Sequence, residues 1–326
     1  MPRVLIAAIS AAMLLLFLGP RFIAWLRQNE VGQFVRPQGE IPEGHMEKRG
    51  TPTMGGVLIL LATAVPFLIL STRSTAAMAV LFTTVACGAI GFVDDYMKIV
   101  KKRSLGLAGR WKMAALVAIA IGLVSVAVEV VGVDTTLRLH VVDEEFNIGS
   151  VAFAVVVFLV LAGATNGVNL TDGLDGLAAG ATALALLSYT GMAFVTGGQR
   201  DLAIFGAALC GACVGFLWFN SYPASVFMGD TGSYALGGAL AAMAVMTKTE
   251  VLLIFVGGVF VVEALSVMIQ VVVFKRTRRR VFLMTPIHHH FEMAGWSETK
   301  IIVRFWLIAA IFGAIGFTLY FRALPS

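Results

Sequence analysis

The sequence predicts an all-α polytopic membrane protein of ten transmembrane helices, folded as a single integral-membrane domain over residues 1–326. Three observations predict it. Of the 326 residues, 59% are hydrophobic and only 13% are charged. The apolar residues fall in continuous runs that approach or exceed the ~18–20 residues needed to cross ~30 Å of hydrocarbon as a helix. They do not alternate in the way a transmembrane barrel requires. Finally, the Lys and Arg residues divide unequally between successive connecting segments, as the positive-inside rule expects of a multi-pass chain.

The first run, 4–26, has the look of a secretory signal, but Arg3 is its only leading charge, Arg21 and Arg27 follow its apolar part, and no small-residue cleavage site succeeds it. It is read as a retained helix with its N-terminus outside. The next runs are 54–71, 75–93, 111–132, 149–166, 174–195, 201–219, 232–247, 250–274 and 300–322. With an outside start, the cytoplasmic segments are 27–53, 94–110, 167–173, 220–231 and 275–299, and both termini lie outside, on the periplasmic side. Eighteen of the 24 Lys and Arg residues then flank the cytoplasmic ends, while Arg3, Arg73, Arg138, Arg200, Lys248 and Arg322 are scattered outside. Topology and contact with anionic lipid account for most of these charges.

The outer segments are short. In the longest, Gly132–Gly149, the alternation of "TLRLHVV" predicts a small hairpin with His140 as an ordinary surface residue. Cys210 and Cys213 form a CxxC inside an apolar run. That setting makes them small packing residues on one helix face rather than a redox or metal pair.

The cytoplasmic segments carry the unusual polar chemistry: "HMEKRGTPTMGG" (45–56), "VDDYMKIVKKRSLGLAGR" (93–110), "NGVNLTDGLDG" (166–176), "NSYPASVFMGDTGS" (220–233) and "TPIHHHFE" (285–292). Five such segments on one face predict one active site at the membrane surface. Asp94 and Asp95 close the third run, where acids oppose the negative end of a helix and so need a reason to be there. Adjacent helical positions are about 100° apart, which predicts different partners for the two: a metal or phosphate for one, basic neighbours such as Lys98 for the other.

Asp172 and Asp175, in "TDGLDGLAAG", and Asp230, in "MGDTGSYALGG", each precede small residues that open an apolar helix. An N-cap is one use of such an Asp. Phosphate at the helix N-terminus beside a hard cation is the other, and oxygen donors select Mg²⁺ or Mn²⁺. His288, His289 and His290 are consecutive and cannot all face one zinc ion from a regular element, so phosphate binding or proton transfer is the expected use. "GTPTMGG" lacks the GK[ST] of a Walker loop. Phe227 in its polar loop is placed either to stack on a base or to anchor at the interface. Glu263 and Gln270 lie seven apart on one face of the ninth run, where intramembrane polar groups border a cavity or a partner.

Taken together, "HMEKRGTPTMGG", "GFVDDYMK", "NGVNLTDGLDGLAAG", "FMGDTGS" and "TPIHHHFE" resemble the phospho-N-acetylmuramoyl-pentapeptide transferases, within the superfamily of polyprenyl-phosphate N-acetylhexosamine-1-phosphate transferases. The likeness covers nearly the whole chain. The aspartate pair and the NLTDGLDG type of loop are shared across the superfamily; the first and last stretches resemble the muramoyl-peptide branch.

The resemblance implies the activity. A Mg²⁺-dependent transfer from UDP-MurNAc-pentapeptide to undecaprenyl phosphate gives lipid I and UMP, in the bacterial cytoplasmic (inner) membrane, by a homodimer with its site facing the cytoplasm. It implies Asp94, Asp95 and Asp230 as the acidic triad, with Asp230 the metal ligand. It implies Lys48, Asn220 and His288–His290 lining the site, and Asn169, Leu170, Asp172, Gly173 and Phe227 as the uridine pocket. Asp175 and Gln270 complete the expected substrate-binding set. No nucleic-acid partner is expected. The rival within the superfamily is a UDP-GlcNAc:polyprenyl-phosphate GlcNAc-1-phosphate transferase. A transporter, the rival from another class, would carry its acids near the bilayer midplane.

Overall fold

The computed structural model describes residues 1–29, 32, 50–101 and 105–324. Each predicted run is helical: α1 (Pro2–Gln28), α2 (Gly56–Leu70), α3 (Thr75–Val100), α4 (Gly109–Ser125, continued by a π-helical turn, Val126–Val131), α5 (Gly149–Thr171), α6 (Leu177–Val195), α7 (Arg200–Asn220), α8 (Gly229–Met246), α9 (Leu253–Val256) with α10 (Gly258–Thr277), and α12 (Glu298–Arg322). A short α11 (Ile287–Met293) lies in the loop before α12. Eight of these helices are long and apolar enough to cross a membrane. At 15 residues α2 is shorter than those, and the Gly/Ala-rich α8 is not among the eight.

The centre of the bundle is α8, buried without a break from Thr231 to Met246. It packs most extensively on α3, and also on α5 and α2. Small residues make this approach close, as helix association in lipid favours. A Cβ on Gly91 would lie 2.0 Å from the Asp230 carbonyl oxygen, one on Gly56 2.1 Å from the Gly232 nitrogen, and one on Gly237 2.5 Å from the Ala164 carbonyl oxygen. Gly91→Ala should therefore drive α3 away from the start of α8. Overpacking against backbone costs about 1–3 kcal/mol. The expected outcome is a lower thermal midpoint in detergent, with activity reduced by more than about tenfold because the displaced group is itself a site residue.

Three elements depart from the sequence reading. The ninth run is not one helix: it breaks at Gly257, and Gly258 sits so close to α12 that a Cβ would meet the Phe312 ring at 2.5 Å. Helices α3 and α5 continue through their polar motifs, to Val100 and Thr171, so Asp94, Asp95 and Asn169 are helical residues rather than loop residues. Neither Asp172 nor Asp175 caps α6, whose N-cap is Gly176 in the left-handed region at φ 81°.

The hairpin forms as predicted, with β1 (Thr136–Leu139) antiparallel to β2 (Glu144–Asn147) and Leu137 opposite Phe146. His140 is not a surface residue. It is buried, with its ring stacked 5.6 Å from Tyr320 of α12. The hairpin is held down by Arg138, which donates to the Ala323 carbonyl at 2.7 Å, and by Lys248, which donates to the Asp134 carbonyl at 3.0 Å. All three cysteines are free, and Cys210 and Cys213 pack within α7.

Candidate active site

The end of the bundle opposite the hairpin collects the polar motifs. Asp94 and Asp95 are 1% and 3% exposed, more than a turn inside the end of α3. Their partners differ, as the 100° offset predicts. Asp95 accepts from the Asp230 N–H at 3.1 Å, the Thr231 N–H at 2.9 Å and the Thr231 hydroxyl at 2.7 Å. It thus caps the N-terminus of α8 from another helix, where the unpaired N–H groups and the dipole favour an anion. Asp94 accepts from the Leu107 N–H at 2.7 Å and pairs with Lys98 at 2.6 Å and Lys112 at 2.9 Å.

The same two lysines hold Asp230. Lys98 reaches its Oδ1 at 3.0 Å and Lys112 its Oδ2 at 2.8 Å, while the Asn169 amide donates to Oδ1 at 3.2 Å. Three carboxylates against two ammonium groups leave one negative charge in a buried place. Oxygen atoms of Asp94, Asp95 and Asp230 all lie within 4.8 Å of one another. An all-carboxylate set of this size fits a hard divalent cation such as Mg²⁺ or Mn²⁺. Of the three, Asp230 is the most open, its side chain 15% exposed against 2% and 4%. Its contacts are with flexible lysine ends and one amide, whereas Asp95 is committed to backbone.

Lys112 is a site residue that the sequence reading counted only as topology. Its signal was its place: a cation in the first turn of α4, where the helix dipole disfavours positive charge. Its ammonium also sits 4.9 Å over the Tyr234 ring.

Asp172 follows α5. Although it keeps some surface, it lies deep in the packed protein, and burial pushes its carboxyl well above the usual carboxylate range, with the charges of Asp230, Asp95 and Asp175 adding to the effect. The sign follows directly. A carboxyl whose pKa is raised on folding binds a proton that the unfolded chain has already released, so stability falls as pH rises from the ordinary Asp value towards the raised one. Asp172→Asn should remove that loss, giving a flatter thermal midpoint against pH over that range in detergent.

Next to Asp172, a Cβ on Gly173 would meet His288 Nε2 at 2.4 Å and His289 Nε2 at 3.3 Å, which brings the histidine run against this turn. The three rings of α11 have three different partners: His288 Nδ1 with Glu263 of α10 at 3.0 Å, His289 with Glu292, and His290 Nδ1 accepting from the Leu283 N–H at 3.1 Å. His288 and Glu263 are both fully buried. The sequence reading placed Glu263 beside a cavity; its link to His288 was missed, because 25 residues and a helix break in direction separate them.

The other expected contacts spread around this centre. Asn220 is buried and donates to the Val226 carbonyl at 2.9 Å, shaping the loop that carries Phe227. Phe227 is half-buried, and its backbone pairs with Pro52 and Gly55. Leu170 and Gly173 are likewise half-buried, at the end of α5 and just after it. Asp175 accepts from the Ala224 N–H at 2.9 Å, and its own N–H donates to Glu298. Gln270 is turned to a structural use: its Oε1 accepts from Val281 and Phe282 N–H at 2.9 and 3.0 Å, and its Nε2 donates to the Phe282 carbonyl. Lys48 lies outside the described residues.

Comparison with known proteins bears on what such a site is for. The model of Glycosyl transferase family 4 matches residues 77–248, and Phospho-N-acetylmuramoyl-pentapeptide-transferase signature 1 matches residues 48–60. A phospho-N-acetylmuramoyl-pentapeptide-transferase of Rubrobacter xylanophilus is 48% identical over 328 residues, covering 99% of this chain and 98% of the relative. The chain belongs to the phospho-N-acetylmuramoyl-pentapeptide-transferase family. Members so named from a Geobacillus species (46% identical, 95% of this chain and 96% of the relative) and from Desulfitobacterium hafniense (43%, 99% of each) extend the match. The family match joins the motifs on α3, α5 and α8, and its signature runs into α2, so it covers the same helices that build the carboxylate cluster.

Proposed function

We propose that this chain transfers phospho-MurNAc-pentapeptide from UDP-MurNAc-pentapeptide to undecaprenyl phosphate, giving lipid I and UMP. One observation carries the reading: two buried carboxylates and a half-buried one, with two lysines, stand at one end of an apolar helix bundle, in a chain of this family. An undecaprenyl chain cannot leave the bilayer, at ~0.8 kcal/mol per buried CH₂. Its phosphate and a water-borne nucleotide sugar can meet only at the interface. The net transfer forms a P–O bond between an oxygen of the lipid phosphate and the sugar-bearing phosphorus of the donor and breaks that phosphorus's bond to UMP, which departs with the electron pair.

Such a transfer asks the protein chiefly to position the two phosphates and offset their charge. A Mg²⁺ ion, replaceable by Mn²⁺, would be held by Asp230 with Asp94 adjacent, and would neutralise charge on the donor pyrophosphate. Lys98 and Lys112, which stand at these carboxylates, would also face the phosphate oxygens. Asp95 fixes α8 and so the place of Asp230. Asn169, Leu170, Asp172, Gly173 and Phe227 would border the uridine, with His288 Nε2 packed against the Gly173 turn.

The deciding experiment is a donor comparison in proteoliposomes containing undecaprenyl phosphate. UDP-MurNAc-pentapeptide should give one UMP per lipid product, and UDP-GlcNAc none. Turnover with UDP-GlcNAc alone would assign the chain to the GlcNAc-1-phosphate reading instead. The orientation rests on charge bias. Single cysteines at positions 143 and 198 should label from outside and those at 105 and 280 only from the cytoplasm. The reverse pattern would move the site to the other face. The homodimer belongs to the same reading, and mass measurement in detergent checks it.

A further inference from the structure

The far end of the bundle holds chemistry that the transfer does not use. α8 carries the chain from Gly229 to Met246, about 26 Å at 1.5 Å per residue, and the turn that follows contains Glu250. Glu250 is 3% exposed, and beyond its own backbone N–H neither carboxylate oxygen has a hydrogen-bond partner among the described residues. The neighbouring cation is committed elsewhere: Lys248 pairs with Asp134 at 3.0 Å and donates to hairpin carbonyls.

Glu250 lines a cavity of about 430 Å³ whose other walls are apolar: Leu137 of the hairpin, Val160 and Gly163 of α5, Leu253 of α9, and Phe260 and Leu265 of α10. From the break at Gly257 along α10 the lining runs to Leu265, about 12 Å. Leu159, Ile254 and Leu265 belong to the lining and are 60%, 55% and 46% exposed, so the cavity opens on the apolar outer surface of the bundle. A buried carboxylate without a partner is costly, and a paired one recovers much of that cost.

The geometry points to a binding site for an aminophospholipid of the surrounding bilayer, with an acyl chain in the cavity and its primary ammonium on Glu250. Charge complementarity selects the head: an ammonium brings three N–H donors to a carboxylate that no side chain among the described residues pairs. The open apolar walls select the chain, and the volume falls in the range of small-ligand pockets. The site stands at the opposite end from the carboxylate triad, so it is independent of the transfer reaction.

The test is native mass spectrometry of the detergent-solubilised protein with phosphatidylethanolamine, phosphatidylcholine and phosphatidylglycerol of identical chains. Phosphatidylethanolamine should be retained in preference, since phosphatidylcholine carries the charge without N–H donors and phosphatidylglycerol carries no amine. Glu250→Gln, which keeps the size and removes the carboxylate, should weaken that retention by about tenfold or more, the loss expected for a charge-assisted hydrogen bond. A Cβ on Gly163 meets nothing within 4 Å. Gly163→Phe should therefore fill the chain site without displacing protein, and abolish retention with Glu250 intact. Equal retention by wild type and both variants, or either control lipid held as tightly as phosphatidylethanolamine, would overturn the assignment.

Discussion

Asp230→Asn should lose turnover by on the order of 10³-fold while the protein stays folded and in the membrane. The substitution keeps the shape and one acceptor. The backbone N–H of residue 230 still donates to Asp95, and Thr231 still closes the cap, so α8 keeps its place. What disappears is the one carboxylate charge that faces both lysines and retains solvent contact. Without it the cluster loses its most open carboxylate, 15% exposed against 2% and 4%, the one a divalent cation reaches most readily. A rate assay of UMP release, beside a thermal melt, separates this from a folding defect. The melt should move little. Asp95→Asn should do the opposite: it removes a charged acceptor from three donors at a helix N-terminus, and its melt should fall with its activity, by about 1–2 kcal/mol for the cap alone.

The second large effect is expected at Glu263. Its carboxylate fixes the fully buried ring of His288 through Nδ1, which leaves Nε2 aimed at the turn holding Asp172 and Gly173. Glu263→Ala frees that ring. The loss expected from freeing an oriented site imidazole is about 10- to 100-fold in activity, in kcat more than in KM. Glu263→Gln retains an oxygen acceptor for Nδ1–H and should recover part of it. His289 and His290 have other partners, so His289→Ala and His290→Ala should differ from His288→Ala and from each other. Equal losses from all three would contradict distinct roles.

How much of this was legible in the sequence depended on the distance between partners. The helices were, because twenty apolar residues in a row report their own environment. So was the hairpin, from period-two alternation over "TLRLHVV". The carboxylates could be named because acids at the end of an apolar run are costly wherever the chain goes. The aspartate pair's separate directions followed from 100° per residue. What each aspartate touches did not follow. That Asp95 caps α8 depends on Gly91 allowing two backbones to meet, and no local pattern encodes which helix a glycine faces. Lys112 was hidden among topology charges, and Glu263 and His288 meet only because α11 folds back on α10. His140 was misjudged because a polar residue in a loop is ordinarily solvated, and its burial comes from Tyr320, 180 residues on. The break at Gly257 likewise serves packing on Phe312 of α12, which an apolar run cannot reveal.

The central claim is that Asp230, more than Asp94 or Asp95, holds the cation on which transfer depends. Mn²⁺ binding to the three Asn variants, followed by electron paramagnetic resonance in detergent, tests it most directly. Asp230→Asn should bind Mn²⁺ far more weakly than wild type, while Asp94→Asn and Asp95→Asn keep more of the affinity. Wild-type binding by Asp230→Asn, with loss in Asp94→Asn or Asp95→Asn, would place the metal on the wrong carboxylate and contradict the account.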